Sequence, residues 1–375
     1  MPFFGGGPNY TNITRHSIDK LHHAIKSNPQ GNMFTLYKVK LAKKNVGCLA
    51  NALNNYPHIT QLDVVYSITL TDTSLMEVSS KCDYITSLDF MHCALMASHV
   101  LALCDAIRLR PKIRSLKLSK TRLCTLAIRH LSDLVETSKT LEELSITCET
   151  LNRTAVCALA LALSNNTSLT SLVLKKDNIG AEDSLFIARA LCVNTTLQSI
   201  DLSTNNISGE CVGIISRGNV TLKTLILNEI QCYPDDLERI ASGIEANASL
   251  THLQLMSIPL HEKSGRFIQA LARNSTLTDL VFHPRSMGDV IAMLRTNRTL
   301  QRVTVDDGVW NSCKPPDREA LILAFYSNPS IRRVKGQWMY FAEFPDVTRR
   351  NERNHTLKTT TLLSIMVARC TNQLY

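Results

Sequence analysis

The chain has 375 residues, of which 44% are apolar, 19% charged and 6% aromatic, so it can bury a large core and is not a disordered polymer. Forty-one Lys and Arg against 32 Asp and Glu give a formal net charge of +9. The excess is confined to the ends, because residues 1–45 carry seven basic and one acidic side chain and residues 331–375 carry eight and three. The body is close to neutral, which argues against a surface built for a polyanion.

The amino end, MPFFGGGPNYTNITRH, has no basic stretch followed by an apolar one, and no window of 18 residues is uncharged and apolar. We therefore expect a cytoplasmic protein in a reducing compartment, with no membrane partner. Twelve cysteines include no CxxC pair, which disfavours a zinc ribbon or a dithiol redox motif and favours buried free thiols. Glycosylation sequons begin at Asn194, Asn219 and Asn274, and we interpret them as by-products of the repeat described next.

An internal repeat runs through almost the whole sequence. The pattern apolar-x-x-apolar-x-apolar occurs twelve times, with spacings of 23, 26, 28, 28, 28, 28, 25, 28, 27, 23 and 31 residues. A degenerate thirteenth copy begins at Leu357. The twelve copies begin at Leu36, Ile59, Ile85, Ile113, Leu141, Leu169, Leu197, Leu222, Leu250, Leu277, Leu300 and Ile331.

Within each repeat, the spacing of apolar residues changes from every second residue to about every 3.6 residues. The alternation at 169–174 predicts a short strand, and the spacing of apolar residues over 182–191 predicts an amphipathic helix. A polar stop such as Asn194-Thr-Thr follows before the next strand. One unit cannot bury its strand and helix alone, so the units must stack in parallel. We therefore predict an α/β solenoid, a horseshoe with parallel strands on the concave face and helices on the convex face, because helices need more room than strands.

The segment SLTSLVLKKDNIGAEDSLFIARALCVNTTLQSIDLSTNNIS resembles the long, helix-containing leucine-rich repeats of ribonuclease inhibitor, of nucleotide-binding immune receptors and of Ran GTPase-activating protein. The resemblance covers roughly 33–340 and implies fold more than function. The family's Asn or Cys in the turn after the strand is matched by Asn205 and Cys93, with Thr121 and Asp177 at the same offset. The remaining turns are irregular at this position, which holds Lys44, Glu149, Ile230, Ile258 or Arg285.

The sequence predicts one curved domain with three parts. Residues 1–32 form an N-terminal cap, whose helix carries apolar residues from Ile18 to Ile25; residues 33–340 form the array of about twelve units; and residues 341–375 form a degenerate repeat and C-terminal cap. The aromatic run Trp338–Phe341 is either part of the hydrophobic cap or an exposed anchor for a partner. The long spacing before Ile331 contains an insertion with Trp310 at its tip, a candidate contact residue.

The alternate positions of each strand face away from the core and form rows across the predicted sheet. Small hydroxyl residues dominate the middle of these rows, basic residues mark both ends, and Trp, Tyr and Phe are absent from them. We therefore expect a polar, wet contact with a partner, unless the serines merely suit a crowded sheet. The candidate partner-binding residues are Lys38, Lys40, His252, Asp279, Arg302, Trp310, Arg333 and Lys335.

No arrangement of residues points to catalysis or a cofactor. Thr224, His252 and Asp279 fall side by side on adjacent strands, as in a hydroxyl–imidazole–carboxylate relay, but a parallel ladder has no free amides for an oxyanion. A plain hydrogen bond from His252 to Asp279 is the better interpretation. His16, His22 and His23 are better explained by a solvated capping helix than by a metal site, so we expect no cofactor and no metal.

The leading hypothesis is a non-enzymatic intracellular scaffold that binds another protein, whether as an adaptor, a bacterial effector in a host cell or an immune-type recognition protein. The alternative is activation of a small GTPase, which the resemblance to Ran GTPase-activating protein implies. That family is expected to use an exposed arginine and usually carries an acidic tail. The carboxyl end of this chain is basic instead. Nucleic-acid binding through the basic ends at 332–335 and 349–353 is a lesser alternative. Ribonuclease inhibition is disfavoured, because a neutral body with basic ends would not attract a basic ribonuclease.

Overall fold

A computed structural model describes residues 3–5, 11–13, 15–27, 30–41, 43–66, 74–110, 112–148, 151–258, 264–305 and 315–335. The chain divides into two compact units, unit 1 from Met1 to Asn206 and unit 2 from Ile207 to Tyr375. Each unit repeats strand, turn and helix. The aromatic run Trp338–Phe341, Trp310 and the degenerate repeat at Leu357 lie outside the described residues.

Unit 1 is a parallel sheet with a layer of helices packed on one side. Its strands lie in the order β1-β3-β5-β6-β7-β8-β9-β10, and a small second sheet pairs β2 with β4. The strands are β1 Phe3–Gly5, β2 Thr11–Ile13, β3 Met33–Tyr37, β4 Val39–Leu41, β5 Gln61–Val65, β6 Ser87–Met91, β7 Ser115–Ser119, β8 Glu143–Thr147, β9 Ser171–Leu174 and β10 Ser199–Asp201. The helices are α1 Arg15–Lys26, α2 Val46–Asn54, α3 Ser74–Lys81, α4 Ala97–Leu109, α5 Thr125–Thr137, α6 Arg153–Asn165 and α7 Ala181–Val193, with a 3₁₀ turn at Lys43–Asn45.

Unit 2 repeats the arrangement with strands in the order β11-β12-β13-β14-β15. The strands are β11 Thr224–Ile226, β12 His252–Leu255, β13 Asp279–Phe282, β14 Arg302–Val305 and β15 Arg333–Lys335. The helices are α8 Gly209–Gly218, α9 Pro234–Ala246, α10 Gly265–Arg273, α11 Met287–Thr296 and α12 Pro315–Ser327. An α/β leucine-rich-repeat solenoid, with parallel strands in one layer and helices in the other, is thus confirmed within each unit.

The core lies between the two layers and follows from the two hydrophobic periods. In unit 1 the alternate strand residues Phe34 and Leu36 are fully buried, and their neighbours across the ladder, Leu62 and Val64, are buried too. The helices contribute residues three and four apart, as α5 does over 127–135. Fully burying such a side chain stabilises the fold by about 1.5–3 kcal/mol, so the stacked layers hold each unit together. The amino end contains a helix, α1, in which Leu21 and Ile25 are buried, and its role as a cap stays a prediction.

Buried asparagines between each helix and the following strand link successive repeats. The Asn194 side-chain oxygen accepts hydrogen bonds from the amides of Thr196 (3.0 Å) and Leu197 (2.7 Å). Its amide nitrogen donates to the carbonyls of Leu163 (2.7 Å) and Asn166 (3.2 Å) in the preceding repeat. The equivalent buried asparagines are Asn166, Asn219, Asn247, Asn274, Asn297 and Asn328.

The hydroxyl residue two positions later completes this link and explains the sequons. Thr196 and Thr276, for example, donate from Oγ1 to a carbonyl of the preceding repeat. Asn-x-Ser/Thr is therefore a structural motif here, and interpreting the sequons as by-products of the repeat is confirmed. An asparagine 3–4% exposed, as Asn194, Asn219 and Asn274 are, offers its nitrogen to no glycosylating enzyme in the folded state.

Three of the polar turn residues matched to the family, Asn205, Cys93 and Asp177, are buried and tie repeats together. The fourth, Thr121, is buried, but its hydroxyl has no hydrogen-bond partner among the described residues. The Asn205 oxygen accepts from the amides of Asp177 and Ile179, and its nitrogen donates to the Leu174 carbonyl at 2.7 Å. Cys93 donates from Sγ to the Val64 carbonyl of the preceding repeat. Where the sequence has isoleucine at this turn, as at Ile230 and Ile258, the side chain is buried instead.

The predicted register of the first repeat is wrong. We placed its strand from Leu36, but β3 pairs with β5 so that Leu36 lies opposite Val64 and Met33 opposite Gln61. The first apolar position is therefore occupied by Gly31, which has no side chain to reveal the pattern. The match from Leu36 to Leu41 misled the assignment, because Val39–Leu41 is itself a strand, paired with β2 in the small sheet. The first spacing is thus 28 rather than 23, and Lys44 does not occupy the family's turn position.

Candidate functional site

Four side chains in unit 1 occupy the same place in successive repeats, immediately after the strand. This turn row consists of Lys38, Tyr66, His92 and Lys120, whose φ values are 49°, 51°, 54° and 53°. The left-handed region is unfavourable for residues with a Cβ, so each conformation has to be held by its surroundings. Each residue donates its amide to the last strand residue of the next repeat, for example from Tyr66 to the Met91 carbonyl at 3.0 Å. The four side chains are therefore set in fixed, parallel positions at the strand ends.

The aromatic members of this row pack against one another. The rings of Tyr66 and His92 stack with centroids 4.5 Å apart and planes 4° from parallel. Tyr37, the last residue of β3, meets Tyr66 edge-on at 5.6 Å, and the Lys38 ammonium lies 5.6 Å from the Tyr37 ring centroid. All three rings are only partly buried. We call Tyr37, Tyr66 and His92 the aromatic cluster.

The absence of aromatic residues from the strand rows is therefore a wrong prediction. Tyr37 occupies the third outward position of its strand, in line with Val65 and Met91 on the next two strands. A first repeat that began at Leu36 would leave Tyr37 out of this row. Extending the spacing of 28 backwards from Ile59 places Tyr37 in line with Val65, and Lys38 in line with Tyr66.

Two carboxylates lie beside each other on the same face, in the middle of the strands. Asp63 of β5 is the cross-strand partner of Asp89 of β6, which is followed by Lys117 of β7. Burial raises the pKa of Asp89 to about 6, the Asp63 carboxylate adds to the effect and Lys117 opposes it. Burial also raises the pKa of Asp63, against a hydrogen bond from Gln61 (2.9 Å) and the attraction of Lys117. We call Asp63 and Asp89 the carboxylate pair.

The surroundings do not fully compensate the carboxylate pair. Within the part of the chain that the structure describes, the buried Oδ1 of Asp89 has no hydrogen-bond partner. Asp89 keeps some exposure to solvent, as Asp63 does. A pair of partly buried like charges destabilises the fold, so its presence on an outward face calls for a reason other than stability.

Three of the candidate residues meet in unit 2. The His252 Nε2 lies 3.1 Å from Asp279 Oδ2, Arg302 pairs with the other oxygen of Asp279, and an Arg302 nitrogen lies 3.3 Å from His252 Nε2. Thr278 donates to Asp279 at 2.7 Å. Burial alone would raise the pKa of Asp279, but the hydrogen bonds from Arg302 and Thr278 and the attraction of His252 hold it below its ordinary value. The expected His252–Asp279 contact is confirmed, and the charges of this group are balanced internally.

The geometry does not assemble a hydroxyl–imidazole–carboxylate relay. Thr224, His252 and Asp279 are cross-strand neighbours, as the register predicted. The two ring nitrogens of His252 are engaged by the hydroxyl of Thr251 (2.7 Å) and by Asp279, however. The ring is thus oriented by Thr251 and Asp279 and not by Thr224.

Of the other candidate residues, Arg333 is the cross-strand neighbour of Arg302, and the two lysines near the amino end are not placed as predicted. Lys38 belongs to the turn row instead of the first outward row, and Lys40 lies in β4 of the small sheet, opposite Asn12. Both corrections follow from the register of the first repeat. Arg333 and Lys335 lie on β15 as predicted, and their contribution to partner binding stays a prediction, as does that of Trp310.

The helix layer of unit 1 offers a second, shallower surface. A groove between α5 and α6 has Leu126 and Leu161 at its rim, 52% and 64% exposed. Its other lining residues mix signs, with Arg129 and His130 facing Asp133 and Glu136. The groove therefore has no stacked aromatic group to anchor a partner.

The described ranges contain no group of three or more His, Cys, Asp or Glu side chains placed to hold a metal ion. His22 instead lies 2.8 Å from the Tyr56 hydroxyl. No helix among the described residues has the length and apolar character needed to cross a bilayer.

No protein-family model matches the chain, and no curated protein does. Solved structures do match it. One of them, described as "Leiomodin-1 Actin-Binding Site 2 (ABS2)", is 19% identical, and the likeness covers 35% of this chain and 81% of that chain with a TM-score of 0.33. A likeness at this level carries no argument about function, so the functional reasoning rests on this chain's own residues.

Proposed function

We propose that this chain is a non-enzymatic protein-binding scaffold whose contact surface is the strand face of unit 1. The observation that carries the proposal is the aromatic cluster, three partly exposed rings held in contact on adjacent strands. Aromatic side chains dominate the energetics of protein interfaces. These rings are already ordered, so a partner would lose little side-chain entropy on binding them.

The repeat type supports the proposal in a general way. Stacked repeats present a long, regular strand face, which suits contact with a macromolecule better than enclosure of a small substrate. The proposed surface extends from the aromatic cluster over Met91, which is 36% exposed, to the carboxylate pair. The same proposal assigns the repeats to the ribonuclease-inhibitor type. The buried turn residues Cys93 and Asn205 support this assignment.

The proposal includes a reducing compartment inside the cell. Six of the ten cysteines within the described ranges are buried. Burial raises the pKa of Cys82, Cys104 and Cys232 to about 12, which keeps these thiols protonated and unreactive. The buried sequon asparagines also suit a chain that is not glycosylated.

Site-specific photo-cross-linking in living cells tests the proposed surface. A benzophenone amino acid replaces Ser119, which lies on the strand face beside Met91, and Leu161 on the helix face serves as the matched control position. We expect one recurrent protein to be cross-linked from Ser119 and not from Leu161. The cross-link should disappear when Tyr66→Ala and His92→Ala are added, with an unchanged far-UV circular dichroism spectrum.

Two results would contradict the proposed surface. One is a cross-link from Ser119 that survives removal of both rings. The other is capture of the same partner from Leu161, which would move the contact to the helix layer.

A further inference from the structure

We infer that the partner held by unit 1 presents an arginine side chain to the carboxylate pair, a step that rests on the proposed function. The inference names the chemistry of the partner at Asp63 and Asp89 and thereby deepens the proposed scaffold role. It stands on the cross-strand position of the two carboxylates and on the rings that lie beyond them at the strand ends.

The charge balance of the face favours a cation at this point. Asp63 and Asp89 contribute two negative charges, and Lys117 on the far side of Asp89 supplies one positive charge. Among the described residues, neither carboxylate forms an ion pair within 4.0 Å. By contrast, Asp279 in unit 2 has both His252 and Arg302 as partners. An incoming cation would therefore complete in unit 1 the kind of balance that unit 2 already contains.

The presence of two neighbouring carboxylates favours a guanidinium over an ammonium group. Adjacent parallel strands lie ~4.8 Å apart, so a single cationic side chain can approach both Asp63 and Asp89. Arginine has five donors in a plane and can pair with two carboxylates at once, whereas lysine is a point charge. Arginine also stacks on aromatic faces, and Tyr66 follows Asp63 by three residues along the chain.

The lysines of the turn row do not make this an anion site. The Lys38 ammonium already lies over the Tyr37 ring. Lys120 is exposed to solvent, where an unpaired ammonium is stable. Asp89 is partly buried and its Oδ1 has no hydrogen-bond partner among the described residues, so its charge is less well solvated and is the one that a partner would stabilise.

Selection from a random dodecapeptide phage library tests the inference with the full chain immobilised. We expect arginine to be enriched among the selected peptides. The enrichment should be lost when the selection uses the Asp63→Asn, Asp89→Asn double variant. The matched control is Asp201→Asn, because Asp201 lies in the same outward row but has Val173 as its cross-strand neighbour in place of a second carboxylate. Both substitutions conserve side-chain size, and thermal melting verifies that the variants are folded.

A second step measures the binding of one selected peptide as a synthetic probe. Replacing its arginine by citrulline keeps the shape and removes the charge, and we expect about tenfold or greater weakening. Replacement by lysine should weaken binding less than citrulline does. With the double variant, the arginine and citrulline peptides should bind equally well.

The outcomes separate the inference from the proposed function. Selected peptides that need Tyr66 but show no arginine enrichment would overturn the inference and leave the scaffold role standing. Enrichment of acidic peptides, or Tyr66-dependent binding of a fluorescent oligothymidylate, would overturn it in favour of an anionic ligand. If the selected peptides bind equally well after the Tyr66→Ala, His92→Ala substitutions, the proposed surface fails as well.

Discussion

Replacing Asn194 by alanine tests the asparagine link between repeats most directly. The side chain is 3% exposed and joins two repeats through hydrogen bonds to Thr196, Leu197, Leu163 and Asn166. Alanine removes the side-chain oxygen that accepts from two backbone amides and the side-chain nitrogen that donates to two backbone carbonyls. Because the site is closed to solvent, these groups have no ready access to water in the folded state.

The expected loss of stability follows from counting these hydrogen bonds. A hydrogen bond contributes about 0.5–1.5 kcal/mol net, and a buried group left unpaired costs about 1–3 kcal/mol. Loss of four bonds should therefore lower the free energy of unfolding by roughly 2–6 kcal/mol. We expect a value of about 4 kcal/mol within this range, because the repeats relax partly around the gap. That loss is a large fraction of the 5–15 kcal/mol that typically separates folded from unfolded states.

Urea denaturation followed by circular dichroism measures this change in the free energy of unfolding. Native-state hydrogen exchange adds a local measurement, since the amides of Thr196 and Leu197 should lose protection in the Asn194→Ala variant. Thr195→Ala is the matched control, because Thr195 is exposed at the adjacent position and should change stability by less than about 0.5 kcal/mol. A loss below about 1 kcal/mol for Asn194→Ala, with both amides still protected, would refute the reasoning.

Three further predictions concern packing, charge and modification. Gly209→Ala should lower the melting temperature by several degrees, because a Cβ there would lie 2.3 Å from a side-chain atom of α9. A Cβ at Gly265 would have nothing within 4 Å, so the control Gly265→Ala should be neutral or stabilising. Equal melting temperatures for the two variants would refute this prediction. Asp89→Asn should raise the urea midpoint at pH 7.5, because the folded pKa of about 6 lies above the unfolded value of about 3.9 and ionisation therefore opposes folding. The gain should shrink as the pH falls through 6 towards 4, and a gain that is independent of pH would refute the assignment. In a chain carrying an added secretion signal, glycosylation at Asn219 should prevent folding, because this side chain is buried. The glycosylated fraction, identified by its change in gel mobility on endoglycosidase treatment, should therefore be protease-sensitive. A glycosylated chain that resists protease would contradict the buried position of Asn219.

The repeat architecture could be predicted because it depends on properties that the sequence displays directly. The period is near 28 residues, and within each repeat an alternation of apolar and polar residues is followed by apolar residues at helical spacing. Stacking the repeats in parallel is the one way to bury both the strand and the helix of each repeat. The same periodicity placed His252 beside Asp279, since equal offsets in adjacent repeats become cross-strand neighbours. Where the pattern positions carry large apolar residues, the predicted register agrees with the structure.

The aromatic cluster and the carboxylate pair were harder to predict. Gly31 hides the start of the first repeat, so the register there shifted by five residues and removed Tyr37 from its row. Tyr66 and His92 lie one residue beyond the strand, and their side chains align only because the backbone adopts the left-handed conformation there. Asp63 and Asp89 occur at equal offsets in successive repeats, which makes them cross-strand neighbours. Their partial burial, which makes their charge significant, depends on packing that periodicity does not reveal.

The contrast between the two carboxylate sites explains why unit 1 is the better candidate for binding. Asp279 is held ionised by Arg302, Thr278 and His252, and such an internally satisfied group adds to stability and has little to gain from a partner. Asp89 has a raised pKa, although Lys117 opposes the shift, and lies on an outward face near partly exposed rings. Among the described residues its Oδ1 has no hydrogen-bond partner. Residues that lower stability without serving the core are expected at functional sites, where local rules of folding are most often broken. The destabilising charge and the rigid aromatic surface occur on the same strands, and a partner with a cationic side chain would use both.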